Sequence, residues 1–123
     1  MEKEITILGE FDGQSMIADG KKYPIPQNYA SKSMLVEGDK LKMVINNGKF
    51  SYKQIGSVPR IRLIMKIERI DGKLRAVNEN TPYDILYATI SYYDIQEGDE
   101  VIGMIPEFKN ANYVAVEGVI KPN

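Results

Sequence analysis

Between Arg60 and Ile70, Ile61, Leu63, Met65 and Ile67 alternate with Arg62, Ile64, Lys66 and Glu68. Successive side chains of a strand point to opposite faces, so this period of two predicts a strand with the odd-numbered set inward. Four dipeptides, Asp12-Gly13, Asp19-Gly20, Asn47-Gly48 and Asp71-Gly72, separate runs rich in β-branched and aromatic residues. A type I′ turn needs positive φ at both central positions, which Asn or Asp followed by Gly tolerates, so each dipeptide predicts a hairpin. At Asp71-Gly72 a two-residue turn sets Ile70 against Lys73, Glu68 against Arg75 and Ile67 against Ala76. Hydrophobic pattern and opposite charges then agree on one register. At Asn47-Gly48 the same rule sets Ile45 against Phe50, Met43 against Tyr52 and Lys42 against Lys53. Leu41, Met43, Ile45, Phe50 and Tyr52 become core on this reading, and Lys42, Lys49 and Lys53 face outward. Only residues 27–34 suggest a helical turn or two, so the expected fold class is all-β.

The pattern also returns on itself. Tyr23, Ile25, Ser31, Glu37, Gly38, Asp39 and Ile45 recur as Tyr83, Ile85, Ser91, Glu97, Gly98, Asp99 and Ile105. Ordinary composition gives roughly one or two identities in such a window, and pairs such as Leu35/Ile95 and Leu41/Val101 add to the match. The expectation is a duplicated β unit, its copies spanning about residues 4–58 and 59–120 and related by a pseudo-two-fold axis. Sixty-residue units bury little surface alone, so residues 1–123 are expected to form one domain with a shared interior.

Composition narrows the chemistry. The chain of 123 residues has neither cysteine nor histidine. That removes disulfides, thiolate and imidazole zinc ligands, Cys/His nucleophilic pairs and the Ser-His-Asp triad. The charged opening Met1-Glu2-Lys3-Glu4 lacks the apolar stretch of a signal peptide. A cytoplasmic protein is expected, with no membrane contact. No Gly-rich phosphate loop is present, and Ser31-Lys32-Ser33 lacks the setting of a nucleophilic dyad. No enzyme activity and no cofactor are expected, a small-ligand enzyme in a barrel mouth being the alternative with least support.

Charge is segregated behind a net of −1. From Lys49 to Arg75 eight cations stand against two carboxylates, a net of +6, whereas from Ala76 to Gly118 one lysine stands against eight carboxylates, a net of −7. The candidate nucleic-acid-binding set is Lys42, Lys49, Lys53, Arg60, Arg62, Lys66, Lys73 and Arg75, since converging cations neutralise phosphates. The plainer alternative is a solvated sheet face whose charges discourage edge pairing. In the acidic part, Tyr87, Tyr92 and Tyr93 are candidates for a protein interface, because Tyr offers a large area with a polar tip; a basic protein is the partner expected there. Glu37/Asp39 and Glu97/Asp99 each bracket a glycine before a strand, which reads as turn chemistry rather than an acid/base or metal pair.

Tyr23-Pro24-Ile25-Pro26, eleven further residues, Gly38-Asp39-Lys40-Leu41-Lys42-Met43 and the turn at Asn47-Gly48 resemble the AbrB/MazE-type swapped-hairpin family. The likeness covers residues 23–55 and, more faintly, the second copy, where Gly98-Asp99-Glu100-Val101 survives and Leu86 replaces the proline. The resemblance implies a small swapped-hairpin β-barrel that binds DNA as an intertwined dimer, here with both copies in one chain. The arginine that family usually carries four residues after its proline is Ala30 here and Ile90 in the second copy, so other cations would have to hold DNA. Double-psi or tandem SH3-like barrels are the related architectures.

Overall fold

A computed structural model describes residues 3–121; Met1 and Glu2 of the charged opening lie outside the described residues. The first half contains β1 (Glu4–Phe11), β2 (Ser15–Ala18), β3 (Lys21–Pro24), α1 (Gln27–Lys32), β4 (Lys40–Asn46) and β5 (Lys49–Gly56). The second contains β6 (Arg60–Ile70), β7 (Lys73–Asn78), β8 (Thr81–Tyr83), α2 (Tyr87–Tyr93), β9 (Glu100–Pro106) and β10 (Ala115–Ile120). The protein is mostly β, in two antiparallel five-stranded sheets with orders β3-β2-β1-β4-β5 and β8-β7-β6-β9-β10. Among the described residues no helix is long and apolar enough to cross a membrane.

The two sheets share their register as well as their order. Glu4 pairs with Asn46 and Glu10 with Lys40, while Arg60 pairs with Pro106 and Lys66 with Glu100. These pairs place β6 56 residues after β1, and β9 60 residues after β4. The difference lies in one hairpin. Phe11 pairs with Met16 across a short loop, whereas beyond the Ile67–Ala76 pair the second hairpin continues through Glu68–Arg75, Arg69–Leu74 and Ile70–Lys73.

The predicted registers at Asn47-Gly48 and Asp71-Gly72 are those observed. Both turns, and that at Asp19-Gly20, have φ near +50° followed by +74° to +80°, as a type I′ turn requires. Glu79-Asn80 makes the corresponding turn in the second half, with φ of +47° and +71°. Asp12-Gly13 does not: only Gly13 has positive φ, and the Asp12 carboxylate accepts hydrogen bonds from the Gln14 and Ser15 amides. This Asx-type loop replaces the two-residue turn.

The buried apolar residues fall into two clusters, and that of the first sheet also takes in Leu86 and Tyr113 from the second half. Met65, Ile67, Ala76, Ile85, Ile95 and Val101 anchor a cluster on the second sheet; Phe11, Met16, Ile25, Leu35, Leu41 and Met43 anchor one on the first. Each sheet folds its inner face around its own helix, and in the first half the Tyr29 ring of α1 lies 6.0 Å from that of Tyr52 on β5. Every paired strand finds its neighbour within its own half. Strand exchange of the swapped-hairpin kind is therefore absent among the described residues. Phe50, expected in the core, is 52% exposed, because it stands two residues from the Asn47-Gly48 turn at the tip of the β4–β5 hairpin; its row neighbour Ile5 is 53% exposed. Ile61 lies at the equivalent end of the second sheet and is partly uncovered, but Ile105 is buried beside the longer β9–β10 connection.

Helices α1 and α2 pack together and close the junction. Each ends in a residue with left-handed backbone, Met34 (φ +49°) and Asp94 (φ +51°). The next amides, of Leu35 and Ile95, reach back to the Ala30 and Ile90 carbonyls at 3.0 Å. This Schellman-type closure turns Leu35 and Ile95 into their cores.

Candidate nucleic-acid interface

The eight candidate cations divide into three groups. Arg60, Arg62 and Arg75 are engaged internally. Arg60 opens β6, and its guanidinium pairs with the fully buried Asp39 carboxylate and donates to the Met34 carbonyl at 3.3 Å. Arg62, two residues on and outward, donates its Nε–H to both carboxylate oxygens of Glu117, at 2.9 and 3.0 Å. The hydrogen bond from Arg62 holds the Glu117 carboxyl below its ordinary range, against the opposing effect of desolvation. Arg75 Nε stands 3.1 Å from Asp84 Oδ1 without hydrogen-bond alignment.

Lys66 and Lys73 are exposed on the second sheet, Lys66 across from Glu100 on β9 and Lys73 beside the Asp71-Gly72 turn. Lys42, Lys49 and Lys53 form the third group. Direct pairing of Lys42 with Lys53, and of Asn46 with Lys49, puts all three on the outer face of β4 and β5. Among the described residues no carboxylate approaches their ammonium groups within 4.0 Å. Lys40 and Lys22 share this face, paired respectively with Glu10 and, at 3.7 Å, with Asp12. The basic candidates are thus not one patch: three lysines share the outer face of the first sheet, and three arginines are tied down elsewhere.

The Glu-Gly-Asp segments are turns, with an added role that the sequence pattern did not reveal. In residues 36–39 and 96–99 the glycine takes positive φ (+97° and +92°), and the aspartate accepts the amide of the residue three before it at 2.8 Å. Each aspartate is buried and meets one cation from just beyond the fifth strand of its half: Asp39 meets Arg60, and Asp99 meets Lys121 at 2.6 Å. Lys121 also donates to the Asp94 carbonyl, as Arg60 does to Met34. The same latch, a cation joining the buried aspartate to the left-handed end of the helix, is built twice. Burial alone would raise the Asp99 carboxyl, but hydrogen bonds from Lys121 and the Gln96 amide, with the Lys121 charge, bring it below the ordinary carboxylate range. Repetition of Gly-Asp was the legible signal; the cation partners carry none, because arginine stands in one half and lysine in the other.

The two glutamates of these turns part company. Glu37 is buried and accepts the Asn112 and Tyr113 amides at 2.9 and 2.8 Å, tying the β9–β10 connection of the second half to the first. Glu97 is exposed. Ser31 and Thr89 hydroxyls meet at 2.9 Å between α1 and α2, and Gln27 accepts the Ala88 amide at 3.0 Å. Of the interface candidates, Tyr87 and Tyr92 project from α2 at 75% and 71% exposure. Tyr93 is half-buried, edge-on to Tyr92, and donates its hydroxyl to the Glu117 carbonyl at 3.3 Å.

Fold and surfaces together define a mostly β protein of two antiparallel sheets, the first of which carries Lys42, Lys49 and Lys53 on its outer face. No known protein family, curated protein or solved structure matches the chain.

Proposed function

We propose that this chain is a non-enzymatic, cytoplasmic binding module, two fused copies of one barrel-like β unit, that holds a nucleic-acid backbone against the outward lysines of its first sheet. The observation that carries the reading is the placement of Lys42, Lys49 and Lys53 on one face, with no carboxylate within 4.0 Å among the described residues. Like charges directly opposite on a sheet are unfavourable unless an anion offsets them. Nucleic acid supplies closely spaced phosphates and gains by releasing condensed counterions. Among the described residues no aromatic ring of β4 or β5 shares this face, since Phe50 and Tyr52 pair with Ile45 and Met43 on the other; contact is therefore with phosphates rather than stacked bases, and indifferent to sequence. The resemblance of residues 23–55 to the AbrB/MazE-type family agrees in ligand class. The repeated order, register and Asp-cation latch support the duplication.

Fluorescence anisotropy with a labelled duplex tests this. Three phosphate contacts give a slope of log K against log salt of roughly −2.7, and Lys42→Glu/Lys53→Glu should abolish binding at moderate salt. Absence of binding by the unaltered protein, or equal binding by the variant, overturns the proposal. A protein interface on α2 is a second reading, favoured by the exposure of Tyr87 and Tyr92. Pull-down of one partner from nuclease-treated lysate, lost on Tyr87→Ala/Tyr92→Ala, supports it; equal capture by the variant removes it.

A further inference from the structure

We propose that the cleft where the lengthened β6–β7 hairpin meets the junction of the halves binds a small amphipathic anion, an apolar body carrying one carboxylate, sulfonate or phosphate head. The cleft holds about 420 Å³, within the range of small-molecule sites, which favour such junctions. Its apolar lining comes from Leu74, Ile85, Leu86 and Ile90. Ile85 and Leu86 are otherwise buried, while Leu74 and Ile90 remain half open. That surface suits a ring or short chain rather than a polar ligand.

Two of the lining side chains are cationic. Arg69 and Lys73 line the cleft from the part of the hairpin that the first half lacks. Arg69 donates to the Gly72 carbonyl at 3.2 Å. Neither cation has a carboxylate within 4.0 Å among the described residues. Asp84 is the acidic lining residue, and Arg75 already stands against it at 3.1 Å. Two cations thus remain over an apolar surface, complementary to a head group of one or two negative charges.

The exposed Tyr87 of α2 and three neutral polar groups complete the lining. Gln14 from the β1–β2 loop and Gln27 from α1 bring the first half to the cleft, and Tyr113 comes from the β9–β10 connection. Burial, then Asp84, Asp12 and Glu37, raise the Tyr113 hydroxyl above its ordinary value, so it stays a neutral donor at pH 7. Both halves and both lengthened connections of the second half contribute. This site is separate from the lysine face of the first sheet.

The test uses 1-anilinonaphthalene-8-sulfonate, an aromatic body with one sulfonate, titrated into the full chain by fluorescence and calorimetry. One saturable site is expected, weakened about tenfold or more by Arg69→Glu/Lys73→Glu and unchanged by Lys42→Glu/Lys53→Glu. Decanoate should compete, and the uncharged N-phenyl-1-naphthylamine should respond far less to the charge reversal. Methyl resonances of Leu74 and Ile90 should shift on binding, and the milder Arg69→Gln/Lys73→Gln gives an intermediate loss with the fold intact by near-UV dichroism. No saturable site, or undiminished dye affinity in both double variants, overturns the proposal. Neither result touches the duplex titration.

Discussion

Replacing Arg60 by methionine keeps much of the side chain's length and removes its charge. Asp39 has no solvent exposure, and besides Arg60 it receives the Val36 amide at 2.8 Å and the Val58 amide at 3.0 Å. Two neutral donors do not neutralise a carboxylate, and the substituted protein must bury it without its counter-charge. Breaking one side of such a buried pair costs about 3–5 kcal/mol, a large share of the 5–15 kcal/mol, in round terms about 10, that holds a domain folded. At roughly 4 °C per kcal/mol for a chain of this size, the melting temperature should fall by about 12–20 °C. Arg62→Met, two residues along the same strand, removes an exposed, solvent-screened pair with Glu117 and should cost far less. Asp39→Asn/Arg60→Met should cost less than Arg60→Met alone, because no charge is stranded. Urea unfolding followed by far-UV dichroism measures all three. An Arg60→Met loss within about 1 kcal/mol of the Arg62→Met loss would refute the argument; the two arginines would then be equivalent surface cations.

Other predictions concern the second latch, the close packing of β9 and the junction. Because the Asp99 carboxyl is held below its unfolded value of about 3.9, the stability it contributes is present above pH 4 and is lost as pH falls through the folded value. The gap between the protein and Lys121→Met should therefore be widest at neutral pH and narrow by pH 3 in parallel urea titrations. A methyl group on Gly103 would meet Val114 Cγ2 at 2.7 Å and Met65 Sδ at 2.9 Å, so Gly103→Ala should cost about 1–3 kcal/mol in thermal melts, with part regained by Met65→Ala. Glu37→Ala leaves two amides without their acceptor and should cost about 2 kcal/mol, with faster hydrogen exchange at Asn112 and Tyr113. Lys42→Glu/Lys53→Glu touches no internal partner and should leave stability within about 0.5 kcal/mol.

Hairpins were legible wherever one local rule decided them. A two-residue Asn-Gly or Asp-Gly turn fixes its register through backbone geometry alone, and Lys42–Lys53 and Glu68–Arg75 pair as that geometry requires. Asp12-Gly13 misled because the same aspartate serves an Asx loop equally well, and which one forms depends on how many residues separate the strands. The site was less legible, because sequence charge does not say where a cation's partner lies. Arg60 reads as an outward member of an alternating strand, yet Asp39, distant in sequence, draws it inward. The likeness of the two halves was also fainter in sequence than in structure. Gly9 and Met43 stand where the other half has Met65 and Gly103: the bulky and the small residue have exchanged strands. Core filling is preserved while both identities are lost.

The differences between the halves are concentrated in the second. Its β6–β7 hairpin is longer, and a long connection replaces the two-residue turn that joins β4 to β5 in the first. The hairpin extension supplies Arg69, Lys73 and Leu74 to the cleft, while the connection supplies Tyr113 and the amides gripped by Glu37. The first half keeps its bare hairpin, and with it the open face of Lys42, Lys49 and Lys53. If one β unit was copied, the copies have since divided their surfaces: one carries cations outward on a flat face, and the other sets them over an apolar hollow against its neighbour. On that reasoning the lysine face depends on the first half's short turn and the cleft on the second half's insertions. Shortening the β6–β7 hairpin to the first half's length, by deleting residues 70–73, should abolish dye binding while the duplex titration continues unchanged. Loss of both together would mean that the two surfaces act as one.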